Sequence, residues 1–379
     1  MAKKIFRFIK KEMMLTAALT AAVISLFITP PNADLVTKID WRTLGTLFMM
    51  LAVLEGFKRE RVLGPVVRLS SGIRRMTSLT LFLVFGVFFT SMFVTNDVSL
   101  IIFVPLTISV FRSGGKEKYI LPVITFENIA AIRGSMLTPF GSPQNLFLFG
   151  QANVSAPHFM LHMLPLSAFS ALLLCAFIFF LYRKDAREEL SFGEKEEDDA
   201  GGKGKRFVYL ALFALVVAVI VTRTTYWYVA LGVVAAAILV TDARLFLKID
   251  YVLLATFLCF FVFSSSIASN RDIATALGDA VAGREYWWSI GLSQIVSNVP
   301  STIILHPFSK NFAGLIYGAD TAGLVTVIGS LASVINYRIY VREYPGQGGK
   351  FIKTFTLISL AFFAIVVVPG YLLSFWEFF

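Results

Sequence analysis

The chain has 379 residues, of which 57% are hydrophobic and 15% charged, and its mean hydropathy is +0.75. That balance excludes a soluble domain, and several apolar runs approach the roughly 20 residues that span lipid. A net charge of +10 would fit a nucleic-acid binder if the basic residues shared one face. They gather instead in alternate loops, which is a signature of membrane orientation.

The spans are continuously apolar and rich in Leu, Phe, Ala and Val, so helices rather than barrel strands do the crossing. Cys175 and Cys259 both lie inside apolar sequence, which excludes a disulfide framework and a cysteine metal centre. His158 and His162 have ligand spacing on a helix, but no acidic or cysteine partner stands near them in sequence; they read as the start of an interfacial helix after Pro157.

In chain order, Lys3, Lys4, Arg7, Lys10 and Lys11 set the N-terminus in the cytoplasm of a cell inner (plasma) membrane. The first span covers about 14–28 and ends at Pro30-Pro31, because proline cannot continue a helix. Removing this segment as a signal peptide would delete a repeat element, so it is retained. The second span returns over about 41–57, and the basic stretch 58–75 reads as an amphipathic surface helix. Between Arg75 and Arg112 lies an apolar segment whose flanks are both cytoplasmic and whose centre is Thr95-Asn96-Asp97. Two full crossings would fit its length; a re-entrant hairpin fits better, because its polar tip would then be buried in protein or line a wet cavity. Residues 119–149 cross outward with a break at Thr138-Pro139-Phe140-Gly141-Ser142-Pro143, where prolines remove donors and free carbonyls. The span 161–182 returns, and 183–206, with its acids Glu194 to Asp199 and Gly201-Gly202, reads as a solvated linker.

The second half repeats this order upside down. Lys38-Ile39-Asp40-Trp41 opens a span on the far side, and Lys248-Ile249-Asp250-Tyr251 opens one from the cytoplasm. Spans at about 207–222, 227–240 and 251–268 lead to a surface helix at 269–284 and a second hairpin at 286–317 around Ser297-Asn298-Val299-Pro300. A second broken helix follows at 318–340, with its break at 326–333, and 351–376 leaves the C-terminus outside. The predicted fold is therefore an all-α polytopic membrane protein with inverted-topology repeats, each holding a re-entrant hairpin and a broken helix. Residues 1–187 form the first repeat, 188–206 a cytoplasmic linker and 207–379 the second.

Polar groups at such tips and breaks are where a transporter binds its cargo. Asparagine offers one acceptor and two donors, and small neighbours let backbone amides approach. The substrate ligands expected are Thr95, Asn96, Ser142, Asn298, Ser301 and Thr302, with Arg133, a charge at membrane depth, as a partner for an anion or for Glu127. A coupling cation is expected at Asn96, Asp97, Thr138, Gly141, Ser297, Asn298, Thr326 and Gly329, where carboxylate, hydroxyl and freed carbonyl oxygens suit sodium. Asp97 either carries a proton or caps the hairpin's second helix. Glu127 and Asp320 are the other ionisable residues within apolar sequence.

Thr95-Asn96-Asp97-Val98-Ser99-Leu100, Glu127-Asn128-Ile129-Ala130-Ala131 through Gly141-Ser142-Pro143-Gln144-Asn145, and Ser297-Asn298-Val299-Pro300-Ser301 resemble the ion transporter superfamily. It includes citrate and dicarboxylate symporters, arsenite efflux permeases and some sodium/proton antiporters. The resemblance covers nearly the whole chain. It implies a scaffold carrying a mobile transport domain, substrate held between two tips and two broken helices, and frequent assembly as homodimers. Dicarboxylate symporters carry Ser-Asn-Thr at both tips, whereas the first tip here reads Thr-Asn-Asp, nearer the arsenite permease branch, and the second Ser-Asn-Val.

The function expected is secondary active transport of a small anion, a di- or tricarboxylate such as citrate or an oxyanion, coupled to Na+ or H+. The alternatives are an arsenite/antimonite efflux permease or a Na+/H+ antiporter and, in another class, an uncoupled anion channel. An enzyme is not expected, since a prenyltransferase-like site needs acid clusters to hold metal-bound diphosphate and the one dense acid cluster lies in the linker. Beyond a small anionic solute, the bilayer and a coupling ion such as Na+, no cofactor or nucleic-acid partner is expected.

Overall fold

The computed structural model describes residues 12–30, 33–69, 73–183 and 203–376. The N-terminal basic cluster, the acidic run Glu194–Asp199 with Gly201-Gly202, and residues 70–72 of the predicted surface helix lie outside them. The first half comprises α1 (Met13–Ile28), α2 (Trp41–Arg59), α3 (Gly64–Leu69), α4 (Met76–Val94), α5 (Asn96–Ser113), α6 (Ile120–Ser135), α7 (Pro143–Gln151) and α8 (Ala156–Leu181). The second comprises α9 (Lys203–Thr222), α10 (Trp227–Asp242), α11 (Tyr251–Ser269), α12 (Arg271–Val281), α13 (Glu285–Val296), α14 (Asn298–Leu305), α15 (Phe312–Ala322), α16 (Leu331–Glu343) and α17 (Gly348–Leu373). Among the described residues, seven helices are long and apolar enough to cross a membrane.

The internal repeat is visible in local chemistry. Asp40 caps α2 by accepting from Thr43 N at 2.9 Å, and Asp250 caps α11 by accepting from Leu253 N at 2.9 Å. Each carboxylate satisfies a backbone donor that the first helical turn leaves free. Lys38 Nζ donates to Ser269 Oγ at 2.9 Å, so the start of α2 lies beside the end of α11 and the copies run antiparallel. α1 packs on α11 and α10 on α2, a reciprocal exchange between halves. These helices, with α9, make one body.

The hairpins α4–α5 and α13–α14 and the broken helices α6–α7 and α15–α16 make the other. α6 is buried on nearly every side, its polar Thr125, Glu127, Asn128 and Arg133 included, so these side chains must find partners within the protein. Gly134 lets it touch the hairpin closely: a Cβ there would collide with the Phe88 carbonyl and sit 2.5 Å from Ser91 Oγ. Exchange between halves recurs here. The end of the first hairpin meets the end of the second broken helix, Arg112 Nη1 lying 3.1 Å from Glu343 Oε2. The end of the second hairpin meets the end of the first broken helix, with the His306 and Phe147 rings 5.1 Å apart.

Two expected extents change. The second hairpin ends at Leu305 rather than Tyr317, because Pro307 lacks a donor and the chain turns through His306–Phe308. Asn311 then caps a new helix, accepting from Gly314 N at 2.8 Å, so the second broken helix begins at Phe312. The second surface helix is α12, capped by Asn270 at 3.2 Å from Ile273 N; the first is shortened to α3.

Candidate functional site

The two hairpin tips have the same backbone. Thr95 lies at φ 69°, ψ 156° and Ser297 at φ 73°, ψ 160°. This region is essentially reserved for glycine and costs on the order of 1–3 kcal/mol for other residues. The following asparagines behave alike: Asn96 Oδ1 accepts from Asp97 N at 2.9 Å and Asn298 Oδ1 from Val299 N at 3.0 Å. Turning each amide oxygen onto its own helix points the amide nitrogen outward from the tip. Among the described residues Asn96 Nδ2 makes no hydrogen bond, nor does the Thr95 hydroxyl; Asn298 Nδ2 reaches the Ala319 carbonyl at 3.4 Å. A free amide, a hydroxyl and the start of α5 thus form a donor-rich tip suited to an oxyanion.

The breaks are matched as well. Ser142 and Ser330 both stand extended before the second half-helix, at φ −147°, ψ 153° and φ −148°, ψ 141°. Thr138 and Thr326 both tie the break to the adjoining hairpin, Thr138 Oγ1 donating to the Met92 carbonyl at 2.5 Å and Thr326 Oγ1 to Gln294 Oε1 at 2.8 Å. Gly141 and Gly329 permit these tight loops, since a Cβ would strike the Ser135 carbonyl in one and the Ala322 carbonyl in the other. The expected cation residues Thr138, Gly141, Thr326 and Gly329 thus line the two breaks, while Asn96, Asp97, Ser297 and Asn298 form the tips. Asp97 lies in the first turn of α5, half-buried, with Oδ1 covered and unbonded.

Other expected ligands are occupied locally. Ser142 caps α7, accepting from Asn145 N at 3.4 Å. Ser301 Oγ donates to the Ser289 carbonyl at 3.3 Å and Thr302 Oγ1 to the Asn298 carbonyl at 2.8 Å. Arg133 is fully buried and its guanidinium bonds Thr321 Oγ1 at 3.5 Å and Met136 Sδ at 3.6 Å; neither partner is a tip residue. It does not pair with Glu127, whose Oε1 instead accepts from the Thr107 hydroxyl.

Beneath the tips, the broken helices cross through amides to which reading the sequence alone assigned no role. Gln144 Nε2 donates to Asp320 Oδ1 at 2.9 Å, joining α7 to α15. Asn128 Nδ2 donates to Ser333 Oγ at 3.0 Å and Asn336 Nδ2 to the Ile124 carbonyl at 2.6 Å, joining α6 to α16. Asn145 Nδ2 spans the Ser135, Met136 and Thr138 carbonyls at 3.2–3.4 Å. The signal available in sequence was the pair Gln144-Asn145 directly after Pro143, polar residues at membrane depth that need partners.

The mirror elements differ in burial. Every residue of α7 from Pro143 to Phe149 is buried, against few in its counterpart α16; α14 is almost wholly buried, and its counterpart α5 only along one face. α7 packs on α2 and α14 on α11. The elements α7 and α14 are therefore the more deeply buried members of their mirror pairs, and α14 is packed more extensively on α11 than α5 is on α2.

A family model described as a citrate transporter matches residues 4–329. The chain is 28% identical over 344 residues to an uncharacterized transporter of Methanocaldococcus jannaschii, covering 89% of this chain and 91% of that one. It is 31% identical over 310 residues to the inner membrane protein YbiR of Escherichia coli, covering 79% and 80%. Among solved structures it is similar to the YdaH transporter of Alcanivorax borkumensis, with a TM-score of 0.56, 14% identity and 96% of each chain covered. That last likeness is one of fold.

Proposed function

The chain belongs to the citrate transporter family, and on that premise we propose that it is a secondary active carrier of a small anion, a di- or tricarboxylate or an oxyanion, driven by Na+ or H+. The observation that carries this reading is the duplicated tip: two non-glycine residues held in a glycine-type backbone, each followed by an asparagine whose amide nitrogen is turned outward. Strain retained twice at equivalent positions points to a site. In this reading the anion meets the Thr95 hydroxyl, Asn96 Nδ2, Asn298 Nδ2 and the backbone donors opening α5 and α14. The carbonyls and hydroxyls of the breaks serve the cation.

Alternating access follows from the repeat. The hairpins and broken helices move as one body against α1, α2, α9, α10 and α11, both hairpins re-entering the membrane. With the N-terminus cytoplasmic and the C-terminus external, the buried elements α7 and α14 are the outer ones. The site then opens inward, because a displaced body covers the face it has moved away from and exposes its mirror image.

A second reading, proton-driven oxyanion efflux or Na+/H+ exchange, is favoured by Asp97, whose carboxyl sits at the first tip with one oxygen unbonded. The same experiment separates the two. Purified protein in proteoliposomes is given citrate, succinate or arsenite under imposed sodium or proton gradients. The proposal expects saturable counterflow with at least one anion and its accumulation under one gradient, both lost in Asn96→Ala and Asn298→Ala. Non-saturating flux without counterflow indicates a channel, and absence of accumulation under either gradient ends the coupled-carrier reading.

A further inference from the structure

Glu127 is the only acid on α6, it is fully buried, and the anion site described above does not use it. Its Oε1 accepts from the Thr107 hydroxyl of α5, while its Oε2 is covered and unbonded. Three helices meet there, since α5 and α16 pack on α6 and on each other. Two amides of the same region bridge α6 to α16: Asn128 Nδ2 donates to Ser333 Oγ at 3.0 Å and Asn336 Nδ2 to the Ile124 carbonyl at 2.6 Å. The Oδ1 atoms of both asparagines are likewise covered and unbonded. Acceptors are therefore in surplus around this carboxyl.

An ionised carboxylate in such a place needs a cation or several donors. Among the described residues Glu127 forms no ion pair. α4 carries no ionisable side chain. On α5, Asp97 stands at the tip, and Arg112 at the other end is engaged with Glu343 and Tyr344 of the second broken helix. Arg338 and Arg342 of α16, Lys350 and Lys353 of α17, and Glu117 and Lys118 before α6 are exposed. α8 meets α6 through Phe177, whose ring lies 6.2 Å from that of Phe126; His162, the nearer of its two histidines, is about 22 Å further along that helix. Arg133 of α6 itself is turned to Thr321 and Met136. The tyrosines and Cys175 on these helices are uncharged near neutral pH.

We propose that Glu127 is a proton-binding site of this carrier, separate from the hairpin tips and the breaks, and that the bound proton holds α5 against α6. The neutral acid still accepts from Thr107 and adds a donor where acceptors are in surplus. Pro105 makes this joint matter. It interrupts α5 just before Thr107 and leaves the Ile101 carbonyl without its helical donor, so the Thr107 bond ties down the part of the arm beyond the proline. Release of the proton leaves a carboxylate that water must reach. α5 and α16 are the less buried members of their mirror pairs, and water enters from the side they line. This proton is independent of the ion that drives transport and of the anion carried.

Infrared spectroscopy of the purified full chain in detergent, at about pH 7 where an exposed glutamate is ionised, reads the proton directly. The difference between wild type and Glu127→Gln is expected to show the carbonyl stretch of a protonated carboxyl. Thr107→Val is expected to shift that band, because Oε1 loses its hydrogen bond. Carboxylate bands in the difference spectrum instead overturn the proposal. The thermal midpoint against pH is the second readout. The folded chain keeps a proton that the unfolded chain releases above about 4.3, the ordinary glutamate value, so this contribution to stability declines as pH rises. From about pH 5 upward the wild-type midpoint should therefore fall more steeply than that of Glu127→Gln, whose amide cannot ionise; parallel profiles overturn the proposal. If Glu127→Gln is not monodisperse, the band shift in Thr107→Val carries the test, and an unshifted spectrum counts against the site. Neither measurement uses an anion or a gradient, so a chain that carries none of the anions tried in proteoliposomes still shows whether Glu127 holds a proton.

Discussion

Asp40 and Asp250 cap equivalent helices at nearly the same backbone angles, φ −78°, ψ 80° and φ −77°, ψ 79°, but Asp40 also grips the other body. Gln151 Nε2, at the end of α7, donates to Asp40 Oδ2 at 2.7 Å. Beside it Arg223 donates to the Phe149 carbonyl at 2.7 Å and lies over the Phe149 ring at 4.1 Å. The equivalent end of α16 makes no such bond to Asp250 among the described residues. In the alternating-access reading proposed above, a two-fold relationship obeyed by the caps and broken by the grip marks one facing state, with these contacts as its latch.

Loosening that latch is expected to shift the balance of facing states. Each partly exposed hydrogen bond is worth about 1 kcal/mol, so Gln151→Ala would change the population ratio by roughly fivefold. Ile328, at the second break, is 56% exposed, and a cysteine introduced there reports the inward-open form by its rate of maleimide labelling from the cytoplasmic side. The rate should fall in Gln151→Ala and fall further when Arg223→Gln is added. Labelling that is unchanged in both leaves the contacts as packing alone.

Strain at the tips gives a prediction in which stability and function move in opposite directions. Thr95 holds φ 69°, where a β-branched residue is an outlier. Thr95→Gly relieves that backbone and removes a hydroxyl from the site. The thermal midpoint of the purified protein should rise, by an amount equivalent to about 1 kcal/mol after glycine's greater entropy in the unfolded chain is deducted, while transport falls. A variant that is both less stable and fully active would mean that the tip geometry serves folding only.

Much of this architecture was legible in the chain because a membrane leaves few choices. Apolar runs must be helices, and polar tripeptides at depth need a reason. The repeat could be read from Lys38-Ile39-Asp40 and Lys248-Ile249-Asp250, and the tips from Asn96 and Asn298. Hidden from that reading were the partners. Glu127 pairs with Thr107 and Gln144 with Asp320, contacts between helices far apart in sequence, where no periodicity specifies which polar side chains meet. The second hairpin was overestimated for a related reason: its arm α14 is only 8 residues long, and hydropathy continues across the turn at Pro307 into α15.

Arg133 illustrates how burial changes an expectation. As a membrane-depth cation it was a natural partner for an anion, yet its bonds run to Met136 and to Thr321, the residue that follows the buried carboxyl of Asp320 in α15. If these two buried groups balance one another in charge, removing one costs roughly 3–5 kcal/mol, whereas removing both is far milder. Arg133→Met should therefore lower the thermal midpoint sharply, and adding Asp320→Asn should recover part of the loss. Anion affinity in the folded fraction should stay near the wild-type value. A large loss of affinity with normal stability would return Arg133 to the substrate.

The last prediction concerns what drives transport. Asp97 follows the first tip, where the second tip has Val299, so the carboxyl is the one ionisable side chain that the repeat does not duplicate there. If protons drive accumulation, Asp97 takes one up in one facing state and releases it in the other. Asp97→Asn should then abolish proton-driven accumulation while leaving anion exchange across the membrane, because an amide hydrogen-bonds but carries no proton. If sodium drives it, the carboxylate supplies charge to a hard cation beside the first break. The same substitution should then weaken the apparent sodium affinity at least tenfold and leave accumulation intact at saturating sodium. Proteoliposomes holding Asp97→Asn, assayed under each gradient and for exchange with no gradient, separate these outcomes. Unchanged accumulation and unchanged cation dependence under both gradients would confine Asp97 to the first turn of α5.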